Sequence, residues 1–180
     1  MCLILSEILT LRQHLNTLKQ SPELYCPDTC IYCQETVIWR NGYYYYRKPD
    51  RLNSGADSLN DIPIPRFKCV ACCRTFSTLP ECIPPRRWYP WFIQQACLVL
   101  CLSGGSFKKI QQLFPAARST LSRWVSWLGN KFNEHHRGLC SKVAEMGYYP
   151  DPVSFWSHWF KSKSLSHAMR LLNQLGVTVP

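Results

Sequence analysis

Two Cys-x-x-Cys pairs constrain this chain more than any other feature. Cys30-Ile-Tyr-Cys33 and Cys69-Val-Ala-Cys72 are separated by residues 34–68. A structural zinc site takes four thiolates in a tetrahedron, and one Cys-x-x-Cys turn presents two sulfurs along one edge of it. Two turns complete the site if the intervening chain folds back on itself. That chain contains TVIWR (36–40), then Asn41-Gly42, then YYYYRK (43–48). An Asn-Gly pair between β-prone runs predicts a hairpin, because both central positions of the tight turn take positive φ. The expectation is therefore a zinc ribbon on a small antiparallel sheet, with Zn2+ on Cys30, Cys33, Cys69 and Cys72. Cys26 and Cys73 lie close enough in sequence to replace a ligand. Knuckle turns favour glycine after the second cysteine, where φ is positive; Gln34 and Cys73 occupy those positions here.

The remaining cysteines decide between a metal site and a disulfide scaffold. There are 11 of them, an odd number, and Cys2, Cys82, Cys97, Cys101 and Cys140 are scattered. Cys97 and Cys101 sit in an apolar run, where a free thiol behaves as a small hydrophobe. The opening MCLILSEILTLRQ has no basic n-region and places Glu7 inside its apolar stretch, so it does not read as a secretory signal. The expected compartment is reducing, hence cytoplasmic. A polar, loop-rich unit of this size seldom folds on its core alone, and structural zinc supplies about 10 kcal/mol of apparent folding energy.

Charge separates two halves. Residues 1–85 carry nine basic and eight acidic side chains, whereas residues 86–180 carry twelve and three. From Cys82 to Asn133 there is no acid, while Arg86, Arg87, Lys108, Lys109, Arg118, Arg123 and Lys131 are all basic. A one-sided field of this kind favours a polyanionic partner.

The pattern along the chain predicts an α+β fold, mainly α. Residues 1–25 read as an N-terminal helix, with an apolar stripe over 3–19 ended by Ser21-Pro22. Residues 26–83 form the ribbon, with a loop at 49–61. IPIPRFK (62–68) can only be an edge strand, because two prolines remove ladder donors; RTFST (74–78) is a further strand. Residues 84–134 form a three-helix unit: a helix over 90–102 closed by Gly104-Gly105, a second capped by Ser106, and a third from Arg118 to Phe132. Residues 135–180 hold two C-terminal helices, one opened by Asp151-Pro152 and one over 165–175. Trp88 to Phe107 is uncharged for 20 residues, a span length for a bilayer. Pro90, Gln94, Gln95, Ser103 and Gly104-Gly105 interrupt it, so it reads as a core helix and no membrane association is expected.

Within SFKKIQQLFPAARSTLSRWVSW (106–127), Ile110, Phe114, Leu121, Trp124 and Val125 have the inward spacing of a helix-turn-helix, whose second helix enters the DNA major groove. Its outward side would carry Arg118, Ser119, Ser122, Arg123 and Ser126. Arginine pairs bidentately with guanine edges, and serine with several edges or phosphate. Thr120 suits phosphate or a cap, and Lys108 and Lys109 suit phosphate contact from the first helix.

The stretch IPIPRFKCVACCRTFSTLPECIPPRRWYPWFIQQ, with SFKKIQQLFPAARSTLSRWVSWL after it, resembles the zinc-ribbon and helix-turn-helix region of bacterial insertion-sequence transposases and transposase-like zinc-binding proteins. The motifs are Arg66-Phe67-Lys68-Cys69, Arg74-Thr75-Phe76-Ser77 and Ser119-Thr120-Leu121-Ser122-Arg123-Trp124, and the resemblance covers about residues 26–132. It implies zinc on Cys30, Cys33, Cys69 and Cys72, element DNA against the helix from Arg118, and association with the nucleoid. Full-length transposases add a domain with three carboxylates for two Mg2+ ions. Here only Glu134, Glu145 and Asp151 follow, on helical sequence. The expectation is a non-enzymatic double-stranded DNA-binding protein, or the recognition half of a transposase whose catalytic subunit is a separate chain. A zinc-ribbon module that binds protein is the third reading. A homodimer would suit DNA half-sites. His135, His136 and His158 read as surface histidines, and Phe155, Trp156, Trp159 and Phe160 as packing or a dimer face.

Overall fold

A computed structural model of the chain describes residues 2–46, 62–85 and 89–177. The expected loop at 49–61 and the cations Arg86 and Arg87 lie outside the described residues. The architecture is α+β, with seven α-helices and a four-stranded sheet among the described residues. Contacts gather into two compact units, Met1–Trp88 and Tyr89–Val179.

The first unit holds β1 (Cys2–Leu5), α1 (Leu11–Gln20), a 3-10 turn (Pro22–Tyr25), β2 (Ile38–Tyr46), β3 (Ile62–Cys69) and β4 (Thr75–Pro80). Sheet order is β1-β4-β3-β2, with β1 parallel to β4 and the other neighbours antiparallel. Three expectations are corrected here. Residues 2–5 are a strand, and the N-terminal helix starts only at Leu11. A short apolar run such as CLIL suits either state; the free edge of β4 gives it backbone partners, and Thr10 caps the helix by accepting from the Gln13 N–H at 3.1 Å.

The expected hairpin is absent. Residues 38–46 are one strand, and Asn41-Gly42 forms a bulge: Arg40 faces Phe67 and Tyr43 faces Pro65, so two residues on β2 stand against one, Arg66, on β3. Gly42 takes φ 69°, so the positive-φ position goes into a bulge instead of a turn. The partner of β2 is therefore β3, across the long connection.

Finally, β3 is not an edge strand along its whole length. It pairs with β4 through Arg66, Phe67 and Lys68, but its proline-bearing half, Ile62–Pro65, pairs with β2 only. The prolines thus sit where no second ladder needs their missing donors. The Pro63 carbonyl instead accepts from Nε2 of buried His14 at 2.9 Å, while His14 Nδ1 accepts the Tyr25 hydroxyl at 2.5 Å. Burial lowers the His14 pKa, which keeps the ring neutral in this arrangement.

The second unit holds α2 (Trp91–Leu102), α3 (Phe107–Leu113), α4 (Arg118–Asn130), α5 (Phe132–Lys142), α6 (Pro152–Ser162) and α7 (Leu165–Gln174). Gly104 (φ 82°) and Gly105 turn the chain between α2 and α3; a Cβ on Gly105 would stand 2.7 Å from the Leu100 carbonyl oxygen. Ser106, Asp151 and Ser164 cap α3, α6 and α7 with their side chains. Helix α5 has FNEHHRGLCSK as its sequence, in which a glycine and two histidines blur the helical pattern. It forms because His135 and Leu139 face the core, and Gly138 lets α7 approach: a Cβ there would lie 3.0 Å from Leu172 Cδ2. His135 is consequently buried, not a surface residue. Phe155, Trp156 and Trp159 are fully buried packing residues at the centre of this core.

Candidate metal centre and candidate nucleic-acid interface

The four predicted ligand sulfurs converge. Cys30 Sγ lies 3.7 Å from Cys72 Sγ, and Cys33 Sγ lies 3.6 Å from Cys69 Sγ. All four sulfurs fall within 4.8 Å of one another. A disulfide needs a sulfur separation of about 2.05 Å, so these are four free thiols. A tetrahedral ion with metal–sulfur bonds of about 2.3 Å has sulfur–sulfur edges of about 3.8 Å. The cluster can hold a metal ion with little movement. Cys26 and Cys73 take no part: their thiols point to the Pro27 and Val70 carbonyls.

Backbone hydrogen bonds build each knuckle. In the first, the Gln34 N–H donates to the Cys30 carbonyl (2.9 Å) and the Cys30 N–H to the Glu35 carbonyl (2.8 Å); in the second, the Cys69 N–H donates to the Arg74 carbonyl (3.0 Å). The Val70 N–H donates to the Val37 carbonyl (3.1 Å), joining the second knuckle to the residue before β2. The Tyr32 N–H points at Cys30 Sγ from 3.4 Å. Desolvation pushes the Cys30 thiol up, but hydrogen bonds from the Tyr32 and Cys33 amides and neighbouring thiols together hold it down to about 7. Only the thiolate coordinates, so an ion entering the cluster displaces protons from these thiols.

Gln34 (φ 64°) and Cys73 (φ 57°) are the positive-φ non-glycine residues of the described chain. They are the two positions after the knuckles, so both turns are built alike, and each pays for its side chain with left-handed strain. Gln34→Gly and Cys73→Gly should each raise stability by about 0.5–1 kcal/mol, the strain relieved less the added entropy of the unfolded chain. Denaturation midpoints of the metal-loaded variants check this; a lower midpoint for both would show that neither turn is strained.

The residues of α3 and α4 expected to face DNA, Thr120 apart, lie at the surface. Lys108, Lys109, Arg118, Ser119, Ser122, Arg123 and Ser126 are exposed, while Ile110, Ala116, Leu121, Trp124 and Leu128 face the core. Thr120 is half-buried and its hydroxyl accepts from Arg123 Nη2 at 3.3 Å, which braces the guanidinium along α4. Lys131 is taken by an ion pair with Glu134 at 3.0 Å. The first turn of α4 contains no acid and Ala117 gives it no side-chain cap, leaving its positive end uncompensated.

The three C-terminal acids stay apart in function. Glu134 pairs with Lys131, Glu145 with Lys163 at 3.3 Å, and Asp151 caps α6 by accepting from the Val153 and Ser154 amides at 2.9 Å. Hydrogen bonds from Ser154 hold the Asp151 carboxyl below its usual range. His136 Nε2 accepts from the Tyr149 N–H, and His158 is exposed on α6. Among the described residues, the cysteine quartet is the one group of three or more Cys, His, Asp or Glu placed to share an ion. No helix among the described residues is long and apolar enough to cross a membrane.

No protein-family model, curated protein or solved structure matches this chain. Its chemistry must be read from its own residues.

Proposed function

We propose that the chain is a zinc-dependent, sequence-specific double-stranded DNA-binding protein of transposase type that acts without catalysis. The observation that carries this reading is the exposed, acid-free row on α3 and α4: Lys108, Lys109, Arg118, Ser119, Ser122, Arg123 and Ser126. In this reading α3 and α4 work as a helix-turn-helix. Arg118 and Arg123 lie five residues apart on α4, about 7.5 Å along its axis, and each reaches toward base edges in the major groove. Lys108 and Lys109 fix register on phosphate. The cysteine quartet works as a zinc ribbon; four converging thiolates suit zinc or iron, and metal analysis tests the choice, with a colourless protein carrying one equivalent of zinc as the expected result. The local engagement of Glu134, Glu145 and Asp151 supports a role without strand cleavage.

The test is a salt titration of affinity for duplex DNA. With about four to six phosphates neutralised, the log–log slope should be near −4 to −5. A flat slope removes the DNA reading and favours a module that binds protein. Arg118→Ala and Arg123→Ala should each cost about 1–3 kcal/mol on the preferred site and less on random duplex. Equal losses on every sequence would make them phosphate contacts. Mg2+-dependent cleavage of bound duplex by the purified chain would overturn the non-catalytic part.

A further inference from the structure

The two faces of the sheet are unequally covered. Register sets Trp39, Lys68 and Thr75 in one cross-strand rung, and Arg66 and Ser77 lie on the same face two residues along. Farther along that face, Ile62, Ile64 and Leu79 are buried in a cluster with Ile83 and Tyr44. The rungs beside the knuckles have no such cover: Trp39 is 64% exposed, Lys68 and Thr75 are exposed, and Arg66 and Ser77 are half-buried. The ion pairs of the described residues involve neither Arg66 nor Lys68. An open indole, two cations and two hydroxyls therefore share one pleated surface without an acid among them.

We infer that this face binds single-stranded nucleic acid. Trp39 stacks on an unpaired base, and Lys68 and Arg66 hold successive phosphates. Arg66 and Lys68 are two residues apart on β3, about 7 Å, a step comparable to one nucleotide of extended strand. Thr75 and Ser77 add hydroxyls beside the same path. The chemistry selects a single strand over a duplex, because a base inside a helix has no free face to offer an indole, whereas an unpaired base of any identity does. The cations select a polyanion over an apolar protein segment. The metal knuckle bears on the site through β3, since Lys68 adjoins Cys69, and Cys69 is in register with Ile38 beside Trp39. This inference stands on the sheet and does not depend on α4.

The full-length, metal-loaded chain is titrated into a labelled single-stranded oligonucleotide of mixed sequence, about a dozen nucleotides long, and read by fluorescence anisotropy. Trp39→Ala is expected to lower affinity by about tenfold or more, and Trp39→Phe to keep most of it. Replacing both Arg66 and Lys68 by Ala should flatten the log–log salt slope by about 1.4, at about 0.7 per phosphate. Trp39 is exposed, so far-ultraviolet dichroism and metal content should match the parent; if Trp39→Ala disturbs either, Lys68→Glu tests the same face through charge. Arg118→Ala with Arg123→Ala should leave single-strand affinity unchanged, which separates failure of this site from failure of the α4 reading. Single-strand affinity indifferent to Trp39→Ala and Lys68→Glu overturns the inference. So does a change in self-association on Trp39→Ala with affinity intact, which would make the face an interface between copies.

Discussion

Removing the metal is expected to unfold the Met1–Trp88 unit and leave the helical unit standing. The first unit buries little: its two clusters centre on Ile8, Tyr25, Phe67 and Phe76, and on Ile62, Ile64, Leu79 and Ile83. Two of its buried residues are the proposed ligands Cys30 and Cys69 themselves. Without an ion, four thiols crowd one point with nothing to bind them together. Metal binding to such a site contributes about 10 kcal/mol of apparent folding free energy, as much as the whole stability of many domains. The second unit has a separate core around Leu98, Leu121, Phe155, Trp156, Trp159 and Leu172 and does not draw on the metal. After chelation, limited proteolysis should therefore cut within residues 26–80 and spare 89–177, while most of the helical dichroism persists. Cys30→Ser should reproduce the effect, whereas Cys26→Ser and Cys73→Ser should keep full metal content. Protection of residues 26–80 in metal-free protein would show that the ribbon reading is wrong.

The helical unit should instead be sensitive to acid through His135. This imidazole is fully buried, with Trp127 and Trp156 rings at 4.7 and 5.8 Å, and neither ring nitrogen has a hydrogen-bond partner among the described residues. Desolvation pushes its pKa down to about 4, opposed weakly by Glu134 and assisted by Lys131. The unfolded chain protonates near pH 6.5, so between about pH 6.5 and 4 it binds a proton that the folded state refuses. Stability is therefore whole above pH 6.5 and falls as pH drops through this window, by about 1.4 kcal/mol per unit and about 3 kcal/mol in all. Denaturation followed by tryptophan fluorescence at pH 7 and pH 5 should show a loss of about 2 kcal/mol in the parent. His135→Phe removes the titrating group, so its loss over the same interval should be smaller by that amount. Identical pH dependence in parent and variant would mean that His135 takes up its proton in the folded state.

Much of the candidate chemistry was legible in the sequence. Cys30, Cys33, Cys69 and Cys72 could be picked out because a Cys-x-x-Cys turn fixes its own geometry within four residues, and the convergence of the two turns bears that out. The caps at Ser106 and Asp151 and the inward set of Ile110, Leu121 and Trp124 were also readable, since helix capping and helical periodicity are local. The Asn-Gly signal misled. It correctly marked a positive φ at Gly42, but a bulge uses that conformation as well as a turn does, and local sequence does not distinguish them.

The sequence by itself thus determined the four thiols, the strained positions that follow them, and the acid-free basic helices, because each depends on residues a few places apart. Only tertiary structure decided which strand pairs with which: β1 with β4, and β2 with β3. The same holds for the burial of His135 and for Trp39 standing in one rung with Lys68. These follow from partners 16 or more positions away or from another element's side chains, and the free energy that selects them is the burial and backbone pairing of the whole unit, which no short window contains.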